Sequence, residues 1–223
     1  MKKTIVFVIL FSLAAGMLPA QDRTPMRPKD RLIINLFSDI WSDLPQAMDT
    51  RTINRGIGID YIQEFPLGTS NFSFAAGLGF ASHNLYSNHW YEWVENRHLF
   101  LEIPDNLDYS NNKISLNYIN VPVEFRYRTR NIARTFRIHA GVKAGLLVNA
   151  HSKYVGELQP NGRDFKLKEG NLENVESFML GFHGRIGLGR VNLNTFIALT
   201  DIFEGNNAAE ASFMSVGLTF IVF

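Results

Sequence analysis

Residues 178–200 read FMLGFHGRIGLGRVNLNTFIALT, two alternating runs on either side of Gly189–Arg190. In the first run Phe178, Leu180, Phe182, Ile186 and Leu188 share a face, against Gly181, His183, Arg185 and Gly187. In the second, Val191, Leu193, Ile197 and Leu199 oppose Asn192 and Asn194. A period of two marks β-strands, and a two-residue link containing Gly marks a hairpin. Pairing Ile186 with Leu193 sets Arg185 opposite Asn194, so apolar meets apolar and polar meets polar. The make-up of the polar face then separates two kinds of β-protein. A soluble sandwich turns a Lys-, Glu- and Thr-rich surface to water. Here that face combines glycines with an occasional large charge, which suits the tight bore of a small barrel. The other face has the composition of a lipid contact.

The same pattern recurs outward from this hairpin. Leu32, Ile34, Leu36 and Ile40 share a face, with Asn35 and Asp39 on the other. Ile57, Ile59, Tyr61 and Phe65 oppose Gly58, Asp60 and Glu64. Phe72, Phe74, Leu78 and Phe80 alternate with Ser73, Ala75, Gly77, Gly79 and Ala81. Val121, Val123, Phe125 and Tyr127 oppose Pro122, Glu124, Arg126 and Arg128. Phe136, Ile138, Val142, Leu146 and Val148 oppose Arg137, His139, Gly141, Lys143 and Gly145. A last strand near 212–223 is apolar on both faces. The links 42–54, 82–112, 149–176 and 201–211 are long, whereas 66–71, 129–135 and 189–190 are short, in strict alternation. Membrane barrels with an even strand count sort their loops in this way. The expected fold is all-β: an eight-stranded antiparallel up-and-down transmembrane β-barrel over residues 32–223.

Two finer expectations follow. Across the other short links, parity sets Glu124 opposite His139, Arg126 opposite Arg137, Tyr61 opposite Ala76 and Asp60 opposite Gly77. Apolar parity slips from even at Ile114, Leu116 and Tyr118 to odd from Val121 onward, beside Pro122, which lacks a ladder donor. A bulge near Asn120–Pro122 is therefore expected.

Composition bounds the rest. The chain has 223 residues, 46% hydrophobic and 19% charged, which alone suggests an average soluble domain. The longest apolar run, Ile5–Leu18, is too short for a membrane helix. With Lys2 and Lys3 before it and Ala20 after it, it reads as an export signal over 1–20, followed by a Pro-containing lead-in over 21–31. Its removal takes the formal charge from +1 to −1. The chain has no Cys, which excludes a disulfide scaffold, thiolate metal sites, a Cys nucleophile and a lipidated N-terminus. The charge balance gives no sign of nucleic-acid binding.

LNYINVPVEFRYR, 116–128, resembles a strand of the PorT-like outer-membrane β-barrel family of Bacteroidetes. HAGVKAGLLVNAH, 139–151, resembles that family's next strand, and GLTFIVF, 217–223, its terminal aromatic strand. The resemblance implies an outer-membrane barrel, recognised by barrel-insertion machinery through the last strand and sitting among outer-membrane lipid and lipopolysaccharide. One named member of that family serves in protein secretion and gliding. No catalytic residue is implied.

Candidate sites are few. Inward Asp60, Glu64, Glu124, Arg126, Arg128, Arg137, His139, Lys143, His183 and Arg185 form either a transport path or acid–base site, or an ion-paired plug of the bore. Paired signs favour the plug. In the loop 82–112, His83, His89 and His98 lack paired-ligand spacing, so no metal is expected. Tyr86, Trp90, Tyr91, Trp93 and Phe100 read as a folded loop cap or an aromatic contact surface. The segment 149–176 suits a small hairpin turning at 160–162. A lipid-modifying enzyme needs Ser beside His at the lipid face. No strand carries an outward His in this reading, and outward Ser38 has no such neighbour. GLGFAS and GRIGLGR mimic phosphate loops but precede no helix. The expectation is a non-enzymatic envelope structural, binding or secretion-associated component with no cofactor. The alternatives are a narrow porin or transporter and an envelope lipid-modifying enzyme.

Overall fold

A computed structural model of the chain describes residues 31–44, 48–94, 97–129, 135–160, 162–172, 174–203 and 211–222. The expected signal segment and all but the last residue of the lead-in lie outside them. The strands are β1 (Leu32–Ser42), β2 (Asn54–Pro66), β3 (Phe72–Tyr86), β4 (His89–Val94), β5 (Arg97–Glu102), β6 (Tyr109–Arg128), β7 (Phe136–Glu157), β8 (Asp164–Gly170), β9 (Phe178–Leu188), β10 (Val191–Ala198) and β11 (Ser212–Ile221). Eight of them, β1, β2, β3, β6, β7, β9, β10 and β11, pair antiparallel in a ring that closes where β11 meets β1 and β6 meets β7. Closure matters because an open sheet edge leaves backbone donors and acceptors that hydrocarbon cannot satisfy. The remaining strands elaborate one mouth. β4 and β5 form a hairpin between β3 and β6, and β8 folds back on the far end of β7.

Alternation decides which side of the wall each residue takes. Leu78 on β3, Leu188 on β9 and Leu193 on β10 are 62%, 62% and 58% exposed. Phe74, Phe80, Val121, Val123, Phe125, Ile138, Val142, Phe182, Ile186 and Val216 join them in a continuous apolar belt. A belt of that extent on a closed sheet is a lipid contact rather than a water-facing surface. The inner wall is built from small residues for lack of room: a Cβ added at Gly79 would run into the Asp60 carboxylate. In β11, Phe213, Ser215, Thr219 and Ile221 point inward and Val216, Leu218 and Phe220 outward, which settles the orientation of the strand that reads apolar on both faces.

The Gly189–Arg190 turn pairs Ile186 with Leu193 and Arg185 with Asn194 as expected, with Gly189 at φ 64°, a conformation that favours glycine. The other two short links hold their parity but sit two residues off. Arg126 faces His139, Arg128 faces Arg137, Tyr61 faces Leu78 and Asp60 faces Gly79. The strand ends fall where expected or within one residue of it, but the paired strands slide past each other by two, and a shift of two keeps every side chain on its face.

The bulge near Asn120–Pro122 is absent. β3 and β6 keep one register from Phe72↔Tyr127 to Tyr86↔Lys113, with the ladder interrupted only where Pro122 lacks its N–H. Even residues of β6 point inward from Asn112 to Arg128: Ile114, Leu116, Tyr118, Asn120, Glu124 and Arg126 are all under 5% exposed. The irregularity lies on β7, where Asn117 faces Asn149 but Tyr118 faces Leu147, leaving Val148 unpaired with β6.

Candidate functional site

Of the charged side chains that line the bore, Asp60, Glu124, Arg126, Arg128, Arg137, His139, His183 and Arg185 are buried, and Glu64 and Lys143 are half-buried. They gather in the half nearest the short turns. Glu124, 1% exposed, is the hub: its Oε2 accepts from Arg126 Nε at 2.6 Å and its Oε1 accepts from Arg185. His139 Nδ1 and His183 Nδ1 stand 3.7 Å from the same carboxylate. Glu64 takes a fork of two bonds from one terminal nitrogen of Arg128, at 2.9 and 2.8 Å, and a third from Ser73 Oγ at 2.6 Å. Arg126 reaches it as well, with Nη1 at 3.8 Å. Arg137 donates to the Gly189 carbonyl at the turn. Higher in the bore a chain of hydrogen bonds runs along four adjacent strands and ends on a carboxylate: Asn194 donates to Thr219 Oγ1, Thr219 to Asn35 Oδ1 and Asn35 to Asp60 Oδ2, at 2.9, 2.7 and 2.7 Å. Lys143 lies with its ammonium 5.6 Å from the centre of the Phe196 ring. Carboxylates so placed neutralise cations that could not otherwise be buried. The space left among Asn35, Asp60, Lys143, His183 and Arg185 is a cavity of about 30 Å³, enough for about two waters.

Above this polar layer the interior changes character. Trp41, Leu85, Ile114, Leu116, Tyr118, Met179, Phe196 and Phe213 pack into a buried apolar cluster. Tyr91 of the β4–β5 hairpin and Phe203 of the β10–β11 loop join it, their rings stacked 5.9 Å apart, with Phe100 edge-on to both. Trp90 packs instead on Tyr154, 5.5 Å away. Tyr86 lies on the outer wall. The side chain of Trp93 falls outside the described residues. Three of the five loop aromatics, Trp90, Tyr91 and Phe100, thus belong to a cap over the mouth.

One polar group in the apolar half escapes the sequence reading. Asp39, fully buried, accepts from Ser215 Oγ at 2.6 Å, faces His83 Nδ1 at 3.0 Å and accepts from the Asn84 backbone N–H at 3.0 Å. His83 therefore belongs to β3 inside the barrel, not to the loop. The odd parity of Ala81, His83 and Leu85 is the signal that extends the strand this far. The three residues Ser, His and Asp meet, but the Asp stands between the other two, so the Ser hydroxyl bonds the carboxylate and not the imidazole, unlike a Ser–His–Asp triad. His139, the residue on which a lipid-modifying enzyme would depend, points into the bore at 2% exposure. His151 does lie on the outer face, contrary to expectation, but past the bulge and opposite Ser115 and Gly170.

A closed sheet with a lipid-facing belt, a bore filled by ion pairs and long loops gathered at one mouth define a membrane-spanning β-barrel. The outer membrane protein beta-barrel domain family matches residues 51–204 of the sequence, and the chain belongs to that family. It is accordingly an outer-membrane protein. Among solved structures the chain is similar to Ail, the attachment invasion locus protein of Yersinia pestis, in complex with the heparin analogue sucrose octasulfate. That likeness has 11% identity and a TM-score of 0.34, and covers 85% of this chain and 97% of that one. Among curated proteins nothing matches.

Proposed function

We propose that the protein is a non-enzymatic, plugged barrel of the PorT-like kind found in Bacteroidetes, working through its capped outer mouth as an envelope structural, binding or secretion-associated component. The observation that carries this reading is the Glu124 hub. Two arginines converge on one fully enclosed carboxylate at the centre of the bore, and moving them apart to open a path would strand buried charge. With the bore occupied, the contact surface is the outer mouth, where the β4–β5 hairpin packed on Phe203 presents a cap to a partner in the envelope. Outer-membrane lipid and lipopolysaccharide surround the belt. The C-terminal strand, ending in the aromatic pattern GLTFIVF, offers the signal for the barrel-insertion machinery.

Planar-bilayer recording on the refolded protein tests the plug. The expected trace is silent, without steady conductance. A steady ohmic conductance sinks the plugged reading and establishes the narrow porin instead.

A further inference from the structure

Beyond the belt, the outer face of the wall carries a row of cations that nothing in the plug or the cap explains. Lys113 of β6 stands directly opposite Lys153 of β7, and Lys153 directly opposite Lys168 of β8. On its other side Lys113 is opposite Tyr86 of β3. Three cations crowd that one ring: Arg51 Cζ, Arg55 Cζ and Lys113 Nζ lie 5.2, 5.9 and 5.5 Å from its centre. The polar partners on hand are neutral. Lys113 donates to Asn84 Oδ1 at 2.7 Å and Arg51 to the Ser110 carbonyl at 3.1 Å.

Like charges directly opposite each other across strands destabilise a sheet. Burial first, and the neighbouring cations after it, act on two groups in the row. Burial, then Lys153 and Arg55, hold the Lys113 ammonium below the ordinary lysine value. Burial, then Lys168, Lys113 and Lys153, push the His151 imidazole down. A row of like charges set opposite one another, with no acidic partner among the described residues, is arranged for an anion supplied from outside.

Its place identifies the anion. The row lies on the same face of the wall as the lipid belt. Arg55 is the next outward residue after Ile57 on β2, while Lys153 and Lys113 lie a few residues past Val148 and Ile119. At the strand rise and tilt of a membrane barrel, that is roughly 5–15 Å above the hydrocarbon edge. Long cationic side chains cover such a distance at a headgroup layer by turning toward it. We propose that Arg51, Arg55, Lys113, Lys153 and Lys168 form a docking surface for the phosphate groups of the surrounding outer-leaflet glycolipid, lipopolysaccharide. This rests on the outer-membrane placement and not on the plug, so it and the conductance test fail independently.

The test measures binding of lipopolysaccharide to the full protein refolded in zwitterionic detergent, over a salt series. The triple variant K113Q/K153Q/K168Q is expected to bind at least about tenfold more weakly, with a flatter salt dependence. K113R/K153R/K168R should retain binding, and R190Q, at a short turn on the opposite mouth, should match the wild type. Retained heat-modified gel mobility in each variant verifies folding. Dephosphorylated lipopolysaccharide should lose the same affinity as the Gln triple loses. Wild-type binding by the Gln triple, or equal binding of the dephosphorylated lipid, overturns the proposal. Displacement by millimolar inorganic phosphate also overturns it, because it would make the row a site for small soluble anions.

Discussion

The two halves of β6 obey opposite rules. From Ile119 to Arg128, odd residues Ile119, Val121, Val123 and Phe125 face out and are apolar, while Asn120, Glu124, Arg126 and Arg128 face in and are polar. From Lys113 to Tyr118 the directions are unchanged but the chemistry is exchanged. Ile114, Leu116 and Tyr118 are buried inside, while Lys113 and Asn117 on the outer face are half-buried and Ser115 between them is buried against Asn84. The backbone register shows no break between the halves on the β3 side. What changes is the solvent. Lipid rewards an apolar outer wall and leaves the bore to paired polar groups. Above the lipid, water restores the usual order, with the apolar residues inside. The neighbouring strand makes the same exchange by other means. On β7 the extra residue Val148 flips the wall, so that Leu147 points in below it and Ala150 and Tyr154 point in above it. One strand changes its sequence pattern and the other its backbone, and both place the lipid boundary at the same height.

The deepest test of the contrast is at Glu124. Replacing it with Ala removes the carboxylate that two buried guanidiniums share, a loss of about 3–5 kcal/mol. Urea unfolding of the barrel in lipid vesicles, followed by tryptophan fluorescence, measures it. A loss under about 1 kcal/mol would mean that the polar half is not held by its ion pairs. Leu116→Ala probes the other half. Leu116 is fully buried, and its truncation should cost about 2–5 kcal/mol by lost burial and the cavity left behind.

A third pair of substitutions locates the boundary on the outer wall. Val123→Arg places a cation in mid-belt and should cost about 2–4 kcal/mol, whereas Asn117→Arg, two outward positions above Val121, should cost about 0–1 kcal/mol. Equal costs at the two sites would show that the lipid edge does not fall between them. Transfer of the protein to thinner-chain vesicles should lower the Val123→Arg cost and leave the other unchanged.

Alternation showed which residues of a strand share a face, because a period of two is local and needs no knowledge of partners. The parity of links gave closure and strand number. Three things lay beyond it. Register at 66–71 and 129–135 slipped by two because parity is blind to an even shift. The exchange of rules on β6 looked like a bulge, since a sequence reading assumes one solvent along the whole strand. The meeting of Asp39, His83 and Ser215, from β1, β3 and β11, depends on ring closure, which brings the first and last strands together. The charged bore was legible as a set of residues, but its hub at Glu124 was not, since neighbours across a barrel have no fixed spacing in sequence.

That same trio supplies the mildest test. Asp39 is a fully buried carboxylate at the floor of the apolar half, and so the exception among the described residues to the apolar character of the half above the ion pairs. It tolerates that position because three groups from two other strands point at it: the Ser215 hydroxyl, the His83 ring and the Asn84 N–H. Aromatic rings pack around His83, with Phe213 and Phe37 centred 4.5 and 4.9 Å from it, and they fix the imidazole in place. Ser215→Ala removes one donor of three and leaves a small void that its neighbours fill without repacking, at a cost of about 1–2 kcal/mol. Urea unfolding reads the shift, and Ser215→Thr should recover part of it by restoring the hydroxyl. A loss as large as that of Glu124→Ala would reverse the comparison. The single carboxylate among the aromatics, and not the ion-paired hub below, would then be the polar group on which the fold most depends.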